Sequence, residues 1–272
     1  MSCVTERANT LPVQSNWRLP RLRRDALTVW RRNVMVWRKL MLASITINFG
    51  EPFLYLLGLG YGLGFFIGEM AGMPYLTFLA TGIVAASAMQ TATFEAMYSV
   101  FTRMVPQNTF EAQLATPLEV EDVLAGEMLW CASKALLSGI AILIVAYLLG
   151  AVEGVRPLLA IPVIFVVGLC FAGPALIMTA LSPNYDFFVY YQTLALTPMF
   201  LLCGVFYPVD TLPSVVQSVI QLLPLAHAVM LVRPLIAGLE VTNVLLHIAV
   251  MLAYAGVGYY IAVVLVRRRL LK

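Results

Sequence analysis

Long apolar runs alternate with short polar breaks along most of this chain. The runs lie at about 41–66, 75–101, 123–150, 157–181, 188–206 and 243–266. Each is close to the roughly twenty residues that a helix needs to cross a bilayer. The pattern therefore predicts an all-α polytopic membrane protein with six transmembrane helices. Ahead of the first run, residues 20–40 have a different period. Arg21, Arg24, Asp25, Thr28, Arg31, Arg32, Arg38 and Lys39 recur on one side of a helix, and Leu22, Ala26, Val29, Trp30, Trp37 and Leu40 on the other. Such a helix lies in the headgroup plane, with its tryptophans at the interface and its arginines facing anionic lipid. Residues 1–19 show neither period and are expected to be disordered. Between the fifth and sixth runs, Pro208, Pro213, Pro224 and Pro234 cut the chain into pieces too short to span. Residues 213–223 and 225–238 are predicted to form two short re-entrant helices.

The longest polar interruption is 101–130, which carries Glu111, Glu119, Glu121, Asp122 and Glu127. Within it, 109–115 reads as a short helix. Asn108 or Thr109 would cap it, Glu111 would sit in its first turn, and Pro117 would stop it. A polar helix held between two spans is a handle for something outside the membrane. In the first run, Gly60, Gly64 and Gly68 share one helical face, a spacing that lets backbones approach closely.

Composition supports the membrane assignment. The chain is 61% hydrophobic and 11% charged, with mean hydropathy +0.88, whereas soluble domains carry about 25% charged residues. The basic residues also orient it. Nine of the seventeen precede residue 40 and four lie in the last six residues. Arg103 and Lys134 belong to the same side, leaving only Arg156 and Arg233 for the other. By the positive-inside rule both termini, the basic tail 267–272 and the handle are cytoplasmic, and 208–240 lies outside. The absence of a short apolar segment with a small-residue cleavage site argues against a secretory signal. A basic helix tethered beside a span argues against nucleic acid as a partner.

Charges within the runs are the candidate functional groups. Glu95 and Lys134 each fall roughly 10 Å from the cytoplasmic ends of their spans. An ionised group deep in a span costs about 2.5–3.5 kcal/mol, and pairing across the hairpin would lower both costs. Glu51, His227 and Arg233 are candidate substrate contacts. Tyr185, Tyr190 and Tyr191, near the inner face, offer aromatic surfaces for stacking. Cys3, Cys131, Cys170 and Cys203 are scattered, so neither a disulfide framework nor a metal site is indicated. The sequence has no GxxxxGK[ST], HExxH or GxSxG. It is thus not read as an enzyme, and the energy for any transport would come from another chain.

Four segments carry a family resemblance: TATFEAMYSVFTRM, TFEAQLATPLEVEDVLAGEMLWCASKALLSG, ALSPNYDFFVYYQTLALTPMF and GVFYPVDTLPSVVQ followed by LLPLAHAVMLVRPLIAG. The chain resembles the ABC-2 type permeases of ATP-binding-cassette exporters, and most closely their nodulation protein J branch. The resemblance implies a bacterial inner-membrane subunit without a cofactor of its own, acting as a homodimer with two ATP-binding subunits that hold ATP and magnesium. It implies that 109–117 is the coupling helix, with Thr109, Phe110, Glu111, Gln113, Leu114, Thr116 and Pro117 at the ATPase. The six-span unit would be 41–266. The cargo implied is a lipo-oligosaccharide or another amphipathic glycolipid. A drug exporter is the alternative within transport, and a stand-alone membrane enzyme acting on lipid-linked sugars the alternative outside it.

Overall fold

The computed structural model describes residues 17–21, 23–39, 41, 50 and 53–270. Ten helices organise this part of the chain. They are α1 (Ala26–Arg38), α2 (Phe53–Ile67), α3 (Tyr75–Met104), α4 (Thr109–Leu114), α5 (Val120–Leu148), α6 (Arg156–Leu181), α7 (Phe187–Leu202), α8 (Ser214–Ile220), α9 (Pro224–Ala237) and α10 (Val244–Leu270). Four of them, α3, α5, α6 and α10, are long and apolar enough to cross a membrane. Helices α8 and α9 form a pair bent by 88°. The described part of the expected first run is α2. The expected fifth run is α7, which stops at Leu202, where Cys203 leaves helical geometry and Gly204 follows at φ +80°. The described structure thus holds four to five candidate spans where six runs were expected.

Two boundaries differ from expectation for clear reasons. Helix α10 continues through Leu270, so Arg267–Arg269 are helical rather than a loose tail. They have partners that reward the helix: Arg267 pairs with Glu121 at 2.8 Å, and Arg269 donates to the carbonyls of Thr179, Ala180 and Ser182 at the end of α6. The C-terminal carbonyls of a helix lack internal partners, and an arginine supplies them. Residues 17–19, read as part of a disordered segment, are placed against α10. Tyr260 donates to the Trp17 carbonyl, and the Arg268 guanidinium lies 4.5 Å over the Trp17 ring.

The turn after α2 is a small antiparallel hairpin, Glu69–Met70 (β1) with Met73–Pro74 (β2). Ala71 and Gly72 both have positive φ, as a tight two-residue hairpin demands. The glycine face of α2 is only partly a packing stripe. Gly60 is buried against Leu76 and Gly64 faces Tyr75, but Gly68 ends the helix at φ +71°.

The core is built on small residues. Among the described residues, helices α6 and α10 make the most extensive contact. At their crossing a Cβ on Gly258 would lie 2.5 Å from the Gly173 carbonyl carbon, so the two backbones touch. Likewise, a Cβ on Gly168 would lie 2.7 Å from the Ala132 Cα of α5. In lipid no solvent drives helices together, and close backbone packing supplies the attraction instead. Gly258→Ala should therefore overpack the crossing by about 1–3 kcal/mol, with a melting temperature several degrees lower in detergent. An unchanged melting temperature would show that the crossing yields easily.

Candidate functional site

One end of the bundle carries α1, α4 and the beginning of α5. Helix α4 follows Asn108, whose left-handed backbone (φ +47°) reverses the chain without a side-chain cap bond. The expected cap is thus conformational, a role that asparagine tolerates well. The helix runs Thr109–Leu114 and stops one residue short of the expected 115. Glu111, Thr116 and Pro117 are exposed, and Thr109, Gln113 and Leu114 are half-buried. Phe110 is 1% exposed and packs in the core with Met104, Val120 and Leu124. The expectation that Phe110 faces a partner is corrected: in this chain it anchors α4 to the bundle. A groove of about 410 Å³ runs between α4 and α1, lined by Thr28, Val29, Arg32, Ala112, Gln113 and Leu118 among others.

Helix α1 does not simply float in the headgroup plane. Its Ala26 and Val29 pack onto Gly126 of α5, where a Cβ would meet Val29 at 2.5 Å. Trp30 donates to the Ser133 hydroxyl at 3.0 Å, and Trp37 meets Trp130 edge-on at 6.0 Å. The two tryptophans expected at the lipid interface are thus half-buried against α5, and Leu27, Met35 and Val36 are the apolar groups left exposed.

Beneath this docked helix lies a charge network. Glu127 is fully buried. Arg103 grips it with two bonds, Nε to Oε1 at 3.0 Å and Nη2 to Oε2 at 2.7 Å. Asn33 of α1 donates to Glu127 Oε2 at 2.9 Å, and Arg32 donates to Asn33 Oδ1 at 3.0 Å. Arg103 also reaches Glu95 Oε1 at 3.3 Å. Glu95 accepts from Trp130 at 2.8 Å and from Ser99 at 3.0 Å, and Lys134 Nζ lies 3.9 Å from its Oε2. The sequence pointed to Glu95 and Lys134. The structure places them at the edge of a larger cluster whose tightest pair is Arg103–Glu127. Burial lowers the pKa of Arg32, which Glu127 raises and Arg103 lowers again. The network joins α1, α3 and α5 through charge-assisted bonds in a site with little water, where such bonds are strong and a missing partner is costly.

The other candidates separate from this cluster. Glu51 lies outside the described residues. Arg233 sits 3.7 Å over the Phe78 ring and donates to Thr81 Oγ1, to the Phe78 carbonyl and to the Gly204 carbonyl at 2.6 Å. It ties α9 to α3 and to the turn after α7. His227 is buried, with Nδ1 2.7 Å from His247 Nδ1 and Nε2 2.8 Å from the Gln221 carbonyl. The carbonyl can only accept, so Nε2 carries a proton and the ring clamps α9 to its neighbours. Tyr185 stacks on Tyr98 at 6.2 Å and shares a hydrogen bond with Thr102. Tyr190 is exposed, and Tyr191 is half-buried. Among the described residues no cluster of three or more His, Cys, Asp or Glu side chains could hold a metal.

Comparison with known proteins places this architecture. Residues 22–237 match the model of the ABC-2 type transporter family. The chain is 48% identical over 246 residues to nodulation protein J of Rhizobium leguminosarum bv. viciae, covering 90% of this chain and 95% of that protein. It is 46% identical over 245 residues to nodulation protein J of Rhizobium meliloti (strain 1021), covering 90% and 94%. A more distant relative is the inner membrane transport permease YadH of Escherichia coli (strain K12), 21% identical over 202 residues. With four long apolar helices, a polar helix between two of them and a family match over most of its length, the chain is a multi-pass membrane protein that belongs to the ABC-2 type transporter family.

Proposed function

We propose that this chain is the permease subunit of an ATP-binding-cassette exporter that moves a lipo-oligosaccharide, or a similar amphipathic glycolipid, outward across the inner membrane. Two copies would assemble with two ATP-binding subunits, which hold ATP and magnesium. Six spans, with both termini and α4 in the cytoplasm and the α8–α9 pair on the outer side, complete the reading. The positive-inside count supports this orientation. Helix α4 is the coupling element, presenting Glu111, Gln113, Leu114, Thr116 and Pro117 to the ATPase while Phe110 holds it from within. The cargo is inferred from the likeness to nodulation protein J.

The observation that carries the proposal is the seating of α4. It is the exposed polar helix between two long spans, and it follows directly on α3, whose Arg103 belongs to the buried network that joins α1, α3 and α5. A push on α4 and α1 would therefore reach the spans through buried ionic bonds rather than through a loose loop. Affinity purification of the tagged chain from gently solubilised membranes tests this. A partner carrying a nucleotide-binding P-loop should accompany it in comparable amount. Isolation of the chain alone, from membranes in which it is active, would overturn the exporter reading.

A further inference from the structure

The chain has two histidines, and the fold brings them together. His227 of α9 and His247 of α10 face each other with their Nδ1 atoms 2.7 Å apart and their ring centroids 5.0 Å apart. Both are buried. Their partners fix where the protons sit. His227 Nε2 lies 2.8 Å from the Gln221 carbonyl, so a neutral His227 keeps its one proton on Nε2 and donates it there. Its Nδ1 is then an acceptor, and a neutral His247 must donate to it from Nδ1.

This bond ties together three pieces of chain. Residues 242–246 are exposed, and His247 is the first buried residue of α10. On the far side, His227 holds the Gln221 carbonyl, and Tyr254 of α10 donates to the Leu222 carbonyl beside it at 2.9 Å. Gln221 and Leu222 lie in the joint where α8 and α9 bend by 88°.

The setting is hostile to a second positive charge. Each histidine sits in the first turn of its helix, which starts at Pro224 in α9 and at Val244 in α10. A helix dipole disfavours a cation at that end. Among the described residues neither ring has a carboxylate partner. The surrounding elements bring no compensating charge. Helix α8 has no titratable side chain. Arg233 of α9 is spent on Thr81, Phe78 and Gly204, and Arg156 of α6 on the Gly238 carbonyl. Helix α3 presents Tyr75 at this end, α6 carries Cys170, and Glu240 is exposed. Arg267 stands roughly 30 Å along α10, at about 1.5 Å per residue.

The pair can take up one proton and keep its bond, because His247 Nε2 is not part of it. A second proton can go only to His227 Nδ1. That sets two N–H donors and two like charges against each other, and the bond is lost. Separated rings would titrate near the ordinary histidine value of about 6.5. The open form then binds at least one proton more than the closed form, so opening is favoured as pH falls below about 6.5 and closure is favoured above it.

We propose that His227 and His247 form an acid-released clasp that pins the first turn of α10 to α9 and to the α8–α9 joint. The exporter reading puts this clasp on the outer side, but the clasp does not depend on that reading. Isotopic labelling of the histidine nitrogens reads these two rings alone, in the full chain purified with a histidine-free tag and held in phosphatidylcholine nanodiscs. Near neutral pH, nuclear magnetic resonance should show opposite tautomers, with the proton on Nε2 in one ring and on Nδ1 in the other, and a scalar coupling between the two Nδ1 atoms. Hydrogen exchange of the amides of 247–251, corrected for the intrinsic effect of pH, should rise about tenfold between about pH 7.5 and 5.5, the effect of one extra proton bound on opening. His247→Asn keeps an amide that can donate or accept, and its corrected exchange should be the same at both pH values.

Identical tautomers without the coupling would show that the bond is absent and overturn the proposal. Flat exchange in the unaltered chain would do the same. So would an equal rise in His247→Asn, or a rise of the same size in the middle of α6, which would mark a general loosening in acid. If His247→Asn fails to fold, the tautomers and the exchange of the unaltered chain still decide.

Discussion

Arg103→Met is expected to remove most of the folded protein from the membrane fraction. The substitution keeps an unbranched apolar stem but takes away both bonds to Glu127, which is fully buried, and the contact to Glu95. Breaking a buried ion pair from one side costs about 3–5 kcal/mol, because the other charge is left without compensation. That is comparable to the whole stability of many domains, about 5–15 kcal/mol. Removing both partners is gentler. In the double variant Arg103→Met with Glu127→Met, no buried carboxylate is stranded at that point, and Glu95 keeps Trp130, Ser99 and Lys134. Detergent-extracted yield and thermal unfolding should therefore recover most of the way. A double variant as poor as the single one would mean that the pair is needed for its geometry and not merely for its charge balance.

Glu111→Lys is expected to leave the protein folded and to abolish export. Glu111 projects from the exposed face of α4, and among the described residues it forms no ion pair. Reversing its charge should thus barely move the melting temperature. At an interface with an ATPase, like-charge juxtaposition is strongly unfavourable, and ATP-driven export should drop by well over about tenfold. Phe110→Ala serves as the contrast. Phe110 is buried, and truncating a core phenylalanine costs about 3–5 kcal/mol, so α4 itself should lose order and show faster hydrogen exchange. If Glu111→Lys exports at the normal rate, α4 does not carry the stroke.

The chain of helices was legible because each apolar run is long and its breaks are rich in proline, glycine or charge. The charge cluster was legible only at its rim. Depth along the spans pointed to Glu95 and Lys134, whereas Arg103 and Glu127 looked like ordinary interfacial groups. Two features hid them. Helix α1 covers Glu127 with Asn33, and a contact ninety-four residues away in sequence leaves no periodic trace. The wide turn Glu95–Ser99 also inserts an extra residue into α3. Arg103, eight residues beyond Glu95, is thereby brought round to the face that a regular helix gives to the seventh. One signal was available: Glu127 and Lys134 are seven apart on one helix and so share a face. The partners of His227 and Arg233 were not legible, because a polar group in a short outer helix looks available until the helices that cover it are known.

The backbone contacts of α6 have a mechanical consequence. With Gly168 against Ala132 of α5 and Gly173 against Gly258 of α10, backbones meet directly at both crossings, and no flexible side chain stands there to bend or change rotamer. Close-packed interiors deform little and transmit strain, so these three helices form a stiff frame. Helices α2, α3 and α7 each contain a stretch of wide turns, where the hydrogen-bond ladder is weakest. A load applied at the α1–α4 end therefore meets unequal resistance. It passes almost undiminished along the frame, and the wider-turned wall opposite it gives first.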